Sequence, residues 1–354
     1  MAPAVNPAPI RLSLLGCGTV GSAVVAGLRE RAEEFTARIG RPLQLTGIAV
    51  HNLAKPRPGI APALLSDDPA AVIADADIVV EVMGGLNPAR DLIETAMRQG
   101  ASVVSANKAL LATHPELFDT ARDAGVPLAY EAAVAGAIPI VRAVERSLAG
   151  DEIESISGII NGTTNVILGL MAQGQSYAEA LAYAQKEGFA EADPTADVEG
   201  YDAAAKIALL ASAAFRTRVT LDQVDTCGIT QIQPEDLAAA ERDGQVMKLV
   251  AHARREGAGV VVAVAPTRVE RAHPLAAIDG PMNAITVQAR GAGPLTFTGA
   301  GAGGAATASA VLADVVTVAQ EISTGAHWCP PPHRELPIIA SPAPNRLARP
   351  NSLL

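Results

Sequence analysis

A short apolar strand, Ile10–Leu15, runs without a break into Gly16-Cys17-Gly18-Thr19-Val20-Gly21, and a helical pattern follows from Thr19 to about Ile39. In the order strand, glycine loop, helix, the three glycines have separate tasks. Gly16 permits the tight turn, Gly18 lets a diphosphate approach the backbone, and Gly21 allows helix and strand to pack closely. The diphosphate then sits on N–H groups at the helix N-terminus. Gly16, Gly18, Thr19, Val20 and Gly21 are therefore the candidate cofactor-binding residues of a dinucleotide fold. The plainer alternative is a glycine turn in some other α/β sheet. Cys17, between two of the glycines, has a small structural task.

The alternation of strands and helices continues to about Gly150. Strands are expected at Leu43–Val50, Ile78–Val82, Ser102–Ala106 and Pro127–Tyr130, with a helix at Pro88–Gln99 and another from Pro139 to Leu148. That is a Rossmann-type, doubly wound parallel sheet over 10–150, preceded by a flexible arm, 1–9. An Asp or Glu closing the second strand would grip the ribose of NAD. The sequence has His51, Asn52, Lys55 and Arg57 there. Lys55 and Arg57 suit a 2′-phosphate, so NADP is favoured over NAD; a basic loop facing solvent is the alternative. Lys108, after the fourth strand, falls at the carboxyl ends of the strands, where ligands of open parallel sheets bind.

After Gly150 the rhythm changes. A half-buried strand, Glu152–Ile160, leads through the polar turn Asn161–Asn165 into a helix, Val166–Gln173, and a second helix spans Tyr177–Glu187. A helix at Pro234–Arg242 precedes strands at Val246–Arg255, Val260–Val264, Ala284–Ala289 and Leu295–Gly299, the first two joined as a hairpin. The expectation is an α+β domain on an antiparallel sheet, 151–299, inserted before a return helix, 300–322. The tail, 323–354, is Pro-rich and has no evident core.

Between these elements lies Glu191-Ala-Asp-Pro-Thr-Ala-Asp-Val-Glu-Gly-Tyr-Asp-Ala-Ala-Ala-Lys206. Pro194 and Gly200 mark Glu191–Gly200 as loop. From Tyr201 the pattern is helical, so Asp202 and Lys206 stand one turn apart on one face. A loop carboxylate, a helix carboxylate and an amine could converge there. An ordinary surface ion pair is the alternative. The chain has five lysines among 27 basic residues. An amine can lose its proton when desolvated and a guanidinium does not, so a lysine in such a setting points to proton chemistry. Lys55, Lys186 and Lys248 read as surface lysines on this criterion.

The net charge of −10 argues against nucleic acid and anionic membrane surfaces as partners. No uninterrupted apolar run reaches the roughly 18 residues that span a bilayer. Cys17, Cys227 and Cys329 form no metal or disulfide pattern, which fits a reducing cytoplasm.

Taken together, G-C-G-T-V-G, A-N-K-A-L-L, Y-E-A-A-V-A-G-A-I-P, I-I-N-G-T-T-N, the stretch ending at Lys206, H-P-L-A-A-I-D-G and G-A-G-G-A-A-T-A-S-A-V resemble the homoserine dehydrogenases over nearly the whole chain. The resemblance implies NAD(P)-dependent interconversion of L-homoserine and L-aspartate 4-semialdehyde, on the way to threonine, methionine and isoleucine. It makes Lys206 the proton donor and acceptor, Lys108 an active-site lysine, and Glu191 and Asp202 the substrate-binding carboxylates. It makes Glu131, Val134, Gly136 and Ile138 a structural sodium (Na+) site, and Gly301 and Gly303 a second cofactor contact. It further implies a homodimer formed through the inserted domain. Ala306 stands where the family usually has proline, and the tail is too short for a C-terminal ACT domain.

The chemistry suits these residue types. Oxidising an alcohol requires removal of the hydroxyl proton as hydride leaves carbon. A lysine accepts it only when neutral, and burial beside a second cation, Lys108, favours the neutral amine. Two other functions remain open on the residues alone. An acylating semialdehyde dehydrogenase needs a nucleophilic cysteine, for which no cysteine here has a suggestive setting. An NADP-binding redox sensor would bind cofactor without homoserine-dependent turnover.

Overall fold

The computed structural model describes residues 8–326, 328 and 335–340. The expected arm up to residue 7, the Pro330–Pro332 run and Cys329 lie outside them. Two compact units form, divided between Ala137 and Ile138 and again between Ala302 and Gly303.

The first unit holds a six-stranded sheet of β1 (Ile10–Leu15), β2 (Leu43–Ala49), β3 (Leu65–Ser66), β4 (Ile78–Glu81), β5 (Ser102–Ser105) and β6 (Leu128–Ala129). All pairings are parallel, in the order β3-β2-β1-β4-β5-β6. Parallel central strands are covered on both faces, which is why β1, β4 and β5 read as almost unbroken apolar runs. The short edge strand β3 is an addition to the expected set. The expected single helix after the glycine loop is two helices, Thr19–Glu30 and Ala32–Ile39. Arg31 leaves the helical region, at φ −115° and ψ 21°, while the apolar periodicity continues across it.

Helix Gly304–Thr324 closes this unit. By length and composition it could cross a bilayer, contrary to the expectation from uninterrupted runs. It is a core helix: Val311, Val315 and Val318 are buried in the same apolar cluster as Leu12, Val24 and Val80. Asp314 interrupts its apolar run.

The second unit carries a seven-stranded sheet. Its strands are β7 (Ile153–Ile159), β8 (Asp225–Thr226), β9 (Gln245–Glu256), β10 (Gly259–Glu270), β11 (Met282–Ala289), β12 (Gly293–Ala300) and β13 (Ile338–Ile339). The order is β12-β11-β7-β9-β10-β13, with β8 also on β10. The sheet is mixed rather than purely antiparallel, because β8 and β13 both run parallel to β10. The tail, expected to have no core of its own, therefore supplies a half-buried edge strand. Glycine is required opposite it: a Cβ on Gly259 would lie 2.5 Å from the Pro337 carbonyl oxygen. β10 also continues past Val264 through Pro266. Among the described residues β10 has no outer neighbour beyond Val264, so the missing N–H of Pro266 breaks no ladder.

Candidate active site

In the first unit the strand order reverses between β1 and β4, the point where such sheets bind ligands. Gly16, φ +102°, makes the turn, and a Cβ there would lie 2.7 Å from the Met83 Cα. A Cβ on Gly21 would meet the Gly16 carbonyl oxygen at 2.5 Å. Gly18 faces open space, with nothing within 4 Å, and caps helix Thr19–Glu30 without a side-chain hydrogen bond. The cradle fits a diphosphate: the backbone is bare where a phosphate would approach, and no acid occupies the first helical turn.

A second helix N-terminus lies beside it. A Cβ on Gly304 would be 2.6 Å from Thr19 Cγ2, and one on Gly27 would be 2.5 Å from Leu312 Cδ1. Both pairs step along their helices by the same interval, so the helices run parallel and present their positive ends together. Gly303, at φ +118°, opens the second helix and is uncrowded. Gly301 has a different reason to be glycine: it packs on the Asn283 amide within the second unit, where a Cβ would be 2.1 Å from Nδ2.

Lys55 is exposed. Arg57 donates to the carbonyl oxygens of Asn52 (2.9 Å), Lys55 (3.0 Å) and Cys17 (3.4 Å), tying its loop to the glycine loop. Lys108 is the half-buried first residue of helix Lys108–Thr113 at the end of β5, and Asn107 caps that helix by accepting from the Leu110 N–H.

Sequence reasoning passed over Glu81. It ends β4, opposite Leu15, and is 0 % exposed. Its Oε1 accepts from the Met83 and Gly84 N–H groups at 3.0 and 3.3 Å and from Asn107 Nδ2 at 3.5 Å. Its Oε2 accepts from Ser105 Oγ at 2.7 Å. Burial pushes its carboxyl above the ordinary range, and these donors pull the other way. The only signal was an acid closing the apolar strand I-V-V-E.

In the second unit the ion pair of Asp202 and Lys206 is buried, so the surface-pair alternative does not hold. Lys206 is 8 % exposed. Its Nζ donates to Asp202 Oδ2 at 2.6 Å and to the Ile160 carbonyl oxygen at 2.8 Å. Asn161 Nδ2 donates to the same Asp202 oxygen at 2.9 Å and to Asp197 Oδ1 at 2.6 Å. Asn161 is also the N-cap of helix Gly162–Ala172, its side chain accepting from the Thr164 N–H. The expected polar turn is thus the first turn of that helix. Glu191 is exposed, and among the described residues its side chain joins neither Asp202 nor Lys206. Thr195–Val198, inside the expected loop, forms one helical turn.

Lys248, expected at the surface, is buried instead. It is 5 % exposed, and its Nζ donates to Asn165 Oδ1, the Ile278 carbonyl oxygen and Asp279 Oδ1. Burial lowers it from the ordinary lysine range. It clips the 278–280 loop to helix Gly162–Ala172.

In the stretch proposed for sodium, Glu131 is buried and Ala135 and Gly136 are both left-handed, at φ 55° and 58°. Ile138 is buried and packs against Gly299 in the second unit. Among the described residues no group of three or more His, Cys, Asp or Glu side chains is gathered for a metal.

A diphosphate cradle at the switch of a parallel sheet, in a chain that also buries a lysine against a carboxylate, defines a nicotinamide-dependent oxidoreductase. The profile of the homoserine dehydrogenase family matches residues 139–316, and that of its NAD-binding domain matches residues 16–131. A homoserine dehydrogenase of Corynebacterium glutamicum is 51 % identical over 333 residues, covering 90 % of this chain and 75 % of that protein. The crystal structure of a homoserine dehydrogenase from Thiobacillus denitrificans superposes with a TM-score of 0.90 at 41 % identity, covering 94 % of this chain and 80 % of that one. A hyperthermophilic archaeal homoserine dehydrogenase in complex with NADPH shares the fold, with a TM-score of 0.75 at 23 % identity over 88 % of this chain and 97 % of that one. The chain belongs to the homoserine dehydrogenase family, whose members interconvert L-homoserine and L-aspartate 4-semialdehyde with a nicotinamide cofactor. A redox sensor and an acylating dehydrogenase are not favoured.

Proposed function

We propose that this chain oxidises and re-forms homoserine through Lys206, with NADP as the preferred cofactor. The observation that carries the reading is the Lys206 amine, buried and held from two sides by Asp202 Oδ2 and the Ile160 carbonyl oxygen. Lys206 takes the hydroxyl proton as the alcohol is oxidised and returns it to the aldehyde oxygen in reverse. Asp202 fixes the amine, and with Glu191 receives the α-ammonium of homoserine. The N-terminus of helix Gly162–Ala172 receives the substrate carboxylate. The nicotinamide, when bound, accepts the hydride in one direction and supplies it in the other.

The glycine cradle of Gly16, Gly18, Thr19, Val20 and Gly21 holds the diphosphate, and Gly303 brings a second helix N-terminus towards it. Gly301 serves mainly by letting Asn283 pack. Lys108 stands at the carboxyl end of β5, on the nicotinamide half of the sheet. NADP preference is supported by the absence of an acid after β2 and by Lys55, on the loop that Arg57 ties to the glycine loop. A sodium ion on the carbonyl-rich turn from Glu131 through Val134 and Gly136 to Ile138 has a structural task. The two free cysteines among the described residues, Cys17 and Cys227, fit a cytoplasmic enzyme. A homodimer through the second unit completes the reading. The test is the absorbance of reduced nicotinamide on adding homoserine, with NAD and NADP in parallel and sodium exchanged for potassium. Homoserine-dependent reduction, faster with NADP, is expected; binding without reduction would refute the reading.

A further inference from the structure

Glu81 is more deeply buried than any other described acid, yet the proton chemistry leaves it without a task. A neutral amide would suffice to tie down the 83–85 turn, as Asn107 does by donating to the Gly85 carbonyl oxygen at 2.7 Å. Burying a carboxyl costs several kcal/mol unless a compensating charge or donor is present. Four donors converge on this one, and no charged side chain adds to its environment among the described residues. Its place is specific. It stands at the carboxyl end of β4, in register with the last residue before the glycine loop, at the sheet's switch point. In doubly wound sheets of this order, β4–β6 form the half over which the second nucleotide of a dinucleotide lies. The nicotinamide ring is a cation when oxidised and neutral when reduced. A carboxylate in a low-dielectric strand end acts on the cationic form alone.

We infer that Glu81 is the built-in counter-charge for the oxidised nicotinamide, favouring the cationic cofactor over the neutral one within the same cleft. The inference rests on the dinucleotide reading of the first unit. Gln is isosteric and keeps the hydrogen bonds, its oxygen accepting from Met83, Gly84 and Asn107 and its amide donating to Ser105 Oγ. The experiment titrates the full chain with NADP+ and with NADPH, without homoserine, by calorimetry or cofactor fluorescence. Glu81→Gln is expected to weaken NADP+ about tenfold while NADPH changes less than about twofold. Glu81→Asp keeps the charge and is expected to hold the ratio of the two dissociation constants within about threefold of wild type. An equal change for both cofactor forms in Glu81→Gln, or a tenfold shift of the ratio in Glu81→Asp, overturns the inference; the Asp arm decides if Gln does not fold. Failure of the wild type to bind either form overturns the dinucleotide reading itself.

Discussion

Lys206→Met isolates the buried pair. Methionine keeps the length of the stem and removes the ammonium, stranding Asp202, whose side chain is 11 % exposed. Removing one partner of a buried pair costs about 3–5 kcal/mol. Asn161 continues to hold the same carboxylate oxygen at 2.9 Å, so the lower end, about 3 kcal/mol, is expected. Asp202→Asn strands the ammonium instead, with the Ile160 carbonyl oxygen still in place, and should cost about 2 kcal/mol. The double variant strands neither charge. It should cost about 3 kcal/mol rather than the additive 5, a coupling of about 2 kcal/mol. Because the chain has two compact units, the readout is hydrogen exchange of helix Tyr201–Phe215 in increasing urea, which reports the second unit alone. Additive single effects would refute the claim that this pair is a coupled, desolvated unit.

Three other outcomes follow from the same geometry. Lys55→Ala should weaken NADP binding about tenfold and spare NAD, whereas Arg57→Ala should weaken both because it frees the glycine loop; equal losses for the two cofactors in Lys55→Ala would end the 2′-phosphate reading. Gly301→Ala drives a Cβ into the buried Asn283 amide and should cost about 1–3 kcal/mol, read as a lowered melting temperature; an unchanged melt would show that the amide yields freely. Burial, reinforced by Arg254, holds His252 down at about 4. Its folded value is depressed, so the unfolded chain takes up the proton first. Stability is therefore full above about pH 6.5 and falls as the pH drops towards 4, by about 2 kcal/mol at pH 5. His252→Gln should flatten that slope in urea midpoints measured against pH, and an unchanged slope would assign it to other groups.

The parallel sheet was legible because its buried strands read as apolar runs and its glycines have backbone reasons that sequence spacing reveals. The pairing of Asp202 with Lys206 was legible for the same reason, since an i,i+4 spacing is a local property. What the sequence did not disclose depends on contacts between distant segments. The burial of Lys206 and Lys248 comes from Ile160, Asn165 and Ile278, far away along the chain. Asn161 looked like turn material, and only its cap geometry joins it to two carboxylates. Glu81 carried no periodic signal, because a strand end is compatible with either an exposed or a buried acid. β13 was hidden in a Pro-rich tail whose partner is 78 residues earlier, Val260 against Ile338.

The central claim is that Lys206 moves the reaction's proton. It is tested most directly by steady-state rates of Lys206→Met with homoserine, alongside its cofactor affinity. The account predicts a kcat lower by about a hundredfold to ten-thousandfold, with cofactor dissociation constants within about twofold of wild type. A kcat near the wild-type value would contradict it.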